Sequence, residues 1–319
     1  MTEKNIGQHD VAEPIPGGVE LEAFVDGYVQ LFATGVRTPV LERPSDYGMD
    51  FENLSFPSKD GVPLDAWFIP ADSDKLLIIN HPMTCNRYGF PGHLEPYQDM
   101  FGGFEVNFLP ELKHLHDAGY NILTYDLRNC GLSGQGNGGF SGLGLLEARD
   151  VVGSVRFAKS HPEMSKMRTS LFSRCMGGNY TLIAMDFWPE EFENIEALAI
   201  LNVVSGKSFV VKGAKNAGLN PDEAVELLSE KLRNTNGMRL EEGTPEPHAH
   251  AVKVPTFVAQ LRRDFLIEAE KDGQEIFDAI GAEDKELFWI EDSNQRFYAY
   301  NYFGQHPEKL IEFFNEKMK

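Results

Sequence analysis

Apolar positions along the chain change their period several times, and the changes mark its elements. Leu21, Phe24, Val25, Tyr28, Leu31 and Phe32 recur at helical spacing and predict an amphipathic helix near the N-terminus. Its apolar face is expected against the body of the domain or, as the other use of such a face, against a second copy in a homodimer. Residues 51–56 and 62–69 alternate around Ser58-Lys59-Asp60-Gly61, which reads as a β-hairpin. A continuous apolar run follows at 76–79, and further strands are read at 121–125, 169–172, 197–201, 254–259 and 287–290. Runs of that kind suit strands buried on both faces of a mostly parallel sheet. Helical patterns separate them, at 108–118 before Gly119, at 145–159, and from His306-Pro307-Glu308 to 318.

Strand and helix in alternation predict an α/β fold, a doubly wound and mostly parallel sheet with right-handed crossovers. Residues 203–253 break the rhythm: Pro221-Asp222-Glu223 opens a helix to about 232, and a Pro/His-rich run continues to 250. That stretch is read as a small cap. The organisation expected is an N-terminal extension over 1–43 and one domain over 44–319 with its cap insertion at 203–253. A Gly- and aromatic-rich insertion at 87–106 reads as a pocket wall or as a surface loop held down by its rings.

Candidate chemistry centres on Ser173-Arg174-Cys175-Met176-Gly177-Gly178, where an apolar run stops and a helical pattern begins. A nucleophile on a tight strand-to-helix turn needs small residues two before and two after it. With Cys175 as nucleophile those are Ser173 and Gly177, which fit; with Ser173 they are Leu171 and Cys175, and Leu171 does not. The plain alternative is a buried cysteine acting as a small hydrophobe. A second motif precedes the elbow by one helix–strand unit: Asp126-Leu127-Arg128-Asn129-Cys130-Gly131-Leu132-Ser133, whose Asp and Arg are read as bracing neighbouring loops.

These two motifs resemble the α/β-hydrolase superfamily, in the cysteine-bearing form of dienelactone-hydrolase-like enzymes and some acyl transferases. The resemblance spans roughly residue 50 to the C-terminus. It implies a Cys175 nucleophile and an oxyanion hole from the Met176 N–H and, after Asn80-His81-Pro82, the Met83 N–H, with Pro82 in place of the usual glycine. His81 is read as ordering that loop. The acid of the triad falls on Asp264, although Gln260 and Leu261 stand where the pattern has His-Gly. Arg262 and Arg263 are read as ion-pair partners of nearby carboxylates, with an acidic substrate group as the other use. The histidine is expected in the loop after the last strand, where Gln295 occupies its position and a glutamine amide cannot shuttle a proton. His306, at the far end of that loop, is the candidate base; His248 and His250 in the cap are the others.

Three outcomes follow: a Cys–His–Asp hydrolase or acyl transferase for a small ester, thioester or lactone; the same reaction with a thiolate supported mainly by the helix terminus; or a degenerate hydrolase kept for binding a small ligand or a partner. A net charge of -20 argues against nucleic acid and anionic membrane as partners. No apolar run is long enough to span a bilayer and the N-terminal residues lack a signal-like apolar core, so a cytoplasmic protein is expected. The three cysteines, Cys85, Cys130 and Cys175, each follow a strand on one sheet edge, which leaves a regulatory disulfide or soft-metal site conceivable. No cofactor is expected, since no metal-ligand or phosphate-binding spacing occurs.

Overall fold

The computed structural model describes residue 10 and residues 18–98 and 100–319. Helix α1 (Leu21–Thr34) precedes the sheet. The alternating segment forms β1 (Glu52–Pro57) and β2 (Pro63–Ile69), and the first continuous apolar run forms β3 (Lys75–Asn80). The aromatic insertion carries a short antiparallel ribbon, β4 (Gly89–Phe90) with β5 (Val106–Asn107). Then come α2 (Leu109–Asp117), β6 (Asn121–Tyr125), α3 (Ala148–Ser160), β7 (Arg168–Arg174), α4 (Met176–Phe187) and β8 (Ile195–Leu201). The segment read as a cap supplies α5 (Gly206–Ala217), α6 (Pro221–Asn236) and the one-turn α7 (Glu246–Ala249). The chain closes with β9 (Thr256–Leu261), α8 (Ala269–Ala279), β10 (Lys285–Ile290), α9 (Arg296–Tyr300), α10 (Tyr302–Gln305) and α11 (Glu308–Lys317).

Eight strands form one sheet in the order β1-β2-β6-β3-β7-β8-β9-β10. Only the β1–β2 and β2–β6 pairings are antiparallel. β3 and β7 lie at the centre, and Leu76–Ile79 and Leu171–Phe172 are buried because helices cover both faces. Their register sets Asn80 opposite Ser173, so the loop after β3 and the turn after β7 start side by side.

That edge of the sheet holds most of the backbone strain. Of six non-glycine residues with positive φ among the described residues, four follow the adjacent strands β6, β3, β7 and β8: Asn129, Thr84, Cys175 and Asn202. A β-branched threonine at φ +72° is rarely tolerated, and such strain collects where a site must be shaped.

The N-terminal helix packs on the segment read as a cap. α1 packs on α6, and Val25 and Phe32 share a second apolar core with Val210, Ala214, Leu228 and Leu232. Asp26 pairs with Lys231 at 2.6 Å. α7 instead packs between α4 and α8, on the body. The aromatic insertion lies behind the site wall: the Phe90 ring meets Phe297 edge-on at 5.9 Å. No described helix is long and apolar enough to cross a membrane.

The edge hairpin is fastened by charge. Arg128 donates to Asp60 at 2.6 Å and to Asp150 at 2.7 Å, and Arg149 reaches Asp60 at 2.9 Å. Burial opposes the Asp60 charge, but Arg128, Ser58 and Arg149 outweigh it and hold its carboxyl well below the usual range. Asp60→Asn should therefore lower stability by about 1–3 kcal/mol at neutral pH in urea unfolding. The contribution is present above the unfolded carboxyl value of 3.8 and lost as the pH falls through the lower folded value, so wild type and variant should converge in acid.

Candidate active site

β7 ends in the centre of the sheet and α4 starts at once, so the residue between them sits on a sharp turn. Cys175 takes φ +50° and ψ -121°, and its N–H donates to Leu201 O at 2.8 Å. The small neighbours have a visible reason. A Cβ on Gly177 would stand 2.5 Å from the His81 carbonyl oxygen and 2.9 Å from that of Asn80. Ser173 is buried, and its hydroxyl bonds Thr181 at 2.8 Å and accepts from Asn80 at 2.9 Å. Tyr125 donates to the same Asn80 side chain at 2.6 Å, so β3, β6, β7 and α4 meet in one polar knot under the turn. Before the turn, the buried Arg174 pairs with Glu111 between the rings of Phe172 and Phe108, 4.2 and 4.3 Å away.

The loop after β3 is fixed by His81. Leu127 N–H donates to its Nε2 at 2.9 Å, so Nδ1 carries the proton and donates to Pro82 O at 2.8 Å. Burial holds this imidazole's pKa below 6.5 despite the Asp126 charge, so it stays neutral as a spacer between two loops. Asp126 accepts from the N–H groups of Arg87 and Leu132 at 2.8 and 2.7 Å, tying down the neighbouring turn.

Cys175 opens into a cavity of ≈ 270 Å³. Met83, Thr84 and Met176 line its floor beside the sulfur, and Phe209, Leu266 and Phe297 its sides. α1 supplies the roof through Phe24, Tyr28, Leu31 and Phe32. The Met176 N–H is the first of α4, among the groups helix geometry leaves without an internal acceptor.

Arg296 and Tyr300 complete the lining, on one face of α9 at i and i+4. Both side chains interact with the Cys175 thiol. The fully buried Arg296 guanidinium is gripped on its other sides. It donates to Asp264 and to Asn202 O, and its Nε donates to the Tyr300 hydroxyl at 3.0 Å. Burial opposes its charge, but Tyr300, Asp264 and Cys175 outweigh this and raise its pKa well above the ordinary value. Asp264 also accepts from Leu266 N–H at 2.8 Å.

Cys175, Met83 and Met176 thus come together, and Asp264 reaches the group through an arginine. Among the described residues, neither Gln295 nor His306 lines the cavity. Gln295 caps α9, its Oε1 accepting from Phe297 N–H at 3.0 Å, and the next residue, Arg296, lines the cavity with Cys175. His306 is half exposed outside the cavity, tilted against the Tyr302 ring and 4.0 Å from Asp292, at the end of α10. His248 and His250 face Asp186. Arg262 pairs with Glu291 and Glu270, and Arg263 with Asp10. The three cysteines are free, and no group of metal-ligating side chains occurs among the described residues.

No protein-family model and no curated protein matches the sequence. Solved structures do. The esterase Pf2001 of Pyrococcus furiosus superposes with TM-score 0.67 at 20% identity, over 90% of this chain and 98% of that one. The α/β hydrolase GrgF of Penicillium sp. superposes with TM-score 0.55 at 15% identity, over 85% and 99%. A dienelactone hydrolase of Anabaena variabilis gives TM-score 0.52 at 16% identity, over 85% and 99%. The fold is that of the α/β hydrolases. Within the α/β-hydrolase fold, α1 joins α5 and α6 of the segment read as a cap, and an arginine stands against the cysteine of the elbow.

Two measurements check this architecture. Gly177→Ala should destabilise by about 1–3 kcal/mol, since its neighbours are backbone carbonyls that cannot step aside; urea unfolding reads the loss. His81 contributes fully above its unfolded value of 6.5, and its contribution falls as acid protonates the unfolded chain first. The urea midpoint of wild type should therefore drop between pH 8 and pH 5 by more than that of His81→Gln.

Proposed function

We propose that this protein is an acyl-transfer enzyme in which Cys175 is the nucleophile. The observation that carries the reading is the strained Cys175 backbone at φ +50°, set in the lining of a half-open apolar cavity. A plain core cysteine has no need of such a conformation, whose strain is on the order of 1–3 kcal/mol. The Cys175 thiolate attacks a substrate carbonyl carbon and forms the C–S bond. The Met176 and Met83 N–H groups receive the oxyanion, and collapse of the adduct expels an alkoxide or thiolate and leaves the acyl group on sulfur. Asp264 acts through Arg296, fixing the guanidinium beside the sulfur.

A cavity of ≈ 270 Å³ is just below the range for drug-sized ligands, which favours a small ester, thioester or lactone. The names of the solved relatives, an esterase and a dienelactone hydrolase among them, support the same class. A second reading, a degenerate hydrolase that binds a small ligand without turnover, is favoured by one observation: among the described residues, no imidazole lines the cavity.

Intact-mass spectrometry after mixing with p-nitrophenyl butyrate separates the two. The expected result is a gain of one butyryl group that maps to Cys175 and is absent from Cys175→Ser. Unmodified protein after prolonged exposure to this and to a thioester would favour the binding reading.

A further inference from the structure

The groups around the Cys175 sulfur limit where protons can go during acyl transfer. Among the described residues, no histidine, aspartate or glutamate lines the cavity. Besides Cys175, its ionisable side chains are Arg296, Tyr300 and Tyr28. An arginine does not give up its proton in a protein. Burial pushes the Tyr300 hydroxyl well above the ordinary tyrosine value, although Arg296 pulls the other way, so Tyr300 keeps its proton. Burial pushes Tyr28 up to about 12, and its hydroxyl donates to Phe209 O at 3.2 Å. Near neutral pH, among the described residues, no side chain of the cavity other than Cys175 takes up a proton.

Common acyl-transfer steps differ in what they ask of such a site. Hydrolysis requires water to lose a proton as it attacks, and release of an alkoxide requires one to be supplied; a placed acid or base is worth about 10²–10⁴-fold. Exchange between thioesters requires neither, because a thiolate attacks and a thiolate leaves. The site does provide what that reaction needs, a fixed cation at the sulfur and oxyanion donors beside it.

On the basis of the acyl-carrier reading above, we infer that Cys175 catalyses thioester exchange, taking a small acyl group from one thioester and passing it to a second thiol, with Arg296 as the countercharge. In the first half the Cys175 sulfur bonds to the acyl carbon, the donor C–S bond breaks, and the donor departs as a thiolate. In the second half an acceptor thiolate bonds to the same carbon and Cys175 leaves as a thiolate. One negative charge enters and one leaves in each half, and no proton moves. Tyr300 is a positioning residue, its oxygen accepting from Arg296 Nε at 3.0 Å.

The test uses the S-butanoyl thioester of N-acetylcysteamine with deuterated N-acetylcysteamine as acceptor. Mass spectrometry follows label entering the thioester, and the same samples report free butyrate. Label exchange should exceed butyrate release by at least about 100-fold. After correction for the ionised fractions of the acceptor and of Cys175, the latter read from its alkylation rate at each pH, exchange should be flat between pH 6 and 9. Butyrate release as fast as exchange, or a bell-shaped profile, overturns the inference. Tyr300→Phe should keep the ratio and the flat profile; a new pH limb would make Tyr300 a proton carrier and overturn it. Arg296→His, where it folds, should raise hydrolysis relative to exchange at least tenfold. The two levels of the reading fail differently. If no butyryl group appears on Cys175, or Cys175→Ser exchanges as fast as wild type, the acyl-carrier reading falls. If the adduct forms but passes first to water, only the exchange inference falls.

Discussion

The backbone of Cys175 is held where an L-residue does not settle by itself, and much of the surrounding sequence exists to keep it there. Its N–H is drawn to Leu201 O across the β7–β8 edge, and Gly177 lets α4 approach the β3 carbonyls. Asn80, Ser173, Thr181 and Tyr125 satisfy one another beneath it. Each of these groups is buried, so removing any of them leaves a polar atom without water, at a cost of about 1–3 kcal/mol. The strain at the turn persists because the surrounding contacts over-determine it, and Thr84 and Asn202 on either side carry positive φ as well.

The second constraint is the arginine. A guanidinium wholly out of water is tolerated only when its donors are matched, and Arg296 meets Asp264, Asn202 O and Tyr300. The loops after β8 and β9 and the helix after β10 thereby converge on one side chain. The Phe209 ring, from α5 of the cap, lies 5.3 Å from the same guanidinium, so body and cap share it. A histidine in this place would be a smaller group able to trade its proton; the arginine holds geometry and charge constant instead.

Much of this was legible in the sequence. The six predicted strand segments each became a sheet strand; in β3, β6, β8 and β9 burial on both faces leaves little place for polar alternation, whereas β10, at the sheet edge, is only partly covered. The elbow could be read because sterics at positions 173 and 177 constrain residue size directly. Two features could not. α1 declared an apolar face but not its partner, and only the structure places Phe24 and Tyr28 over Cys175. Arg296 lay one residue past the position where a histidine was sought, and a charged residue in a loop near a C-terminus ordinarily signals solvent. The faint sign was Tyr300 four residues on, within an aromatic run, which marks a buried helical face. His306 shows the reverse error, since the presence of an imidazole in the right loop says nothing about its reach.

The cavity is assembled from both ends of the chain. Its roof is α1, and the cation at its sulfur arrives with α9, long after the elbow has left the ribosome. During synthesis the cysteine is an ordinary thiol on an unfinished sheet, with neither cover nor countercharge. The surroundings of Cys175 are then a property of the completed molecule, and a chain truncated before α9 would carry the elbow without the arginine and tyrosine that line its cavity.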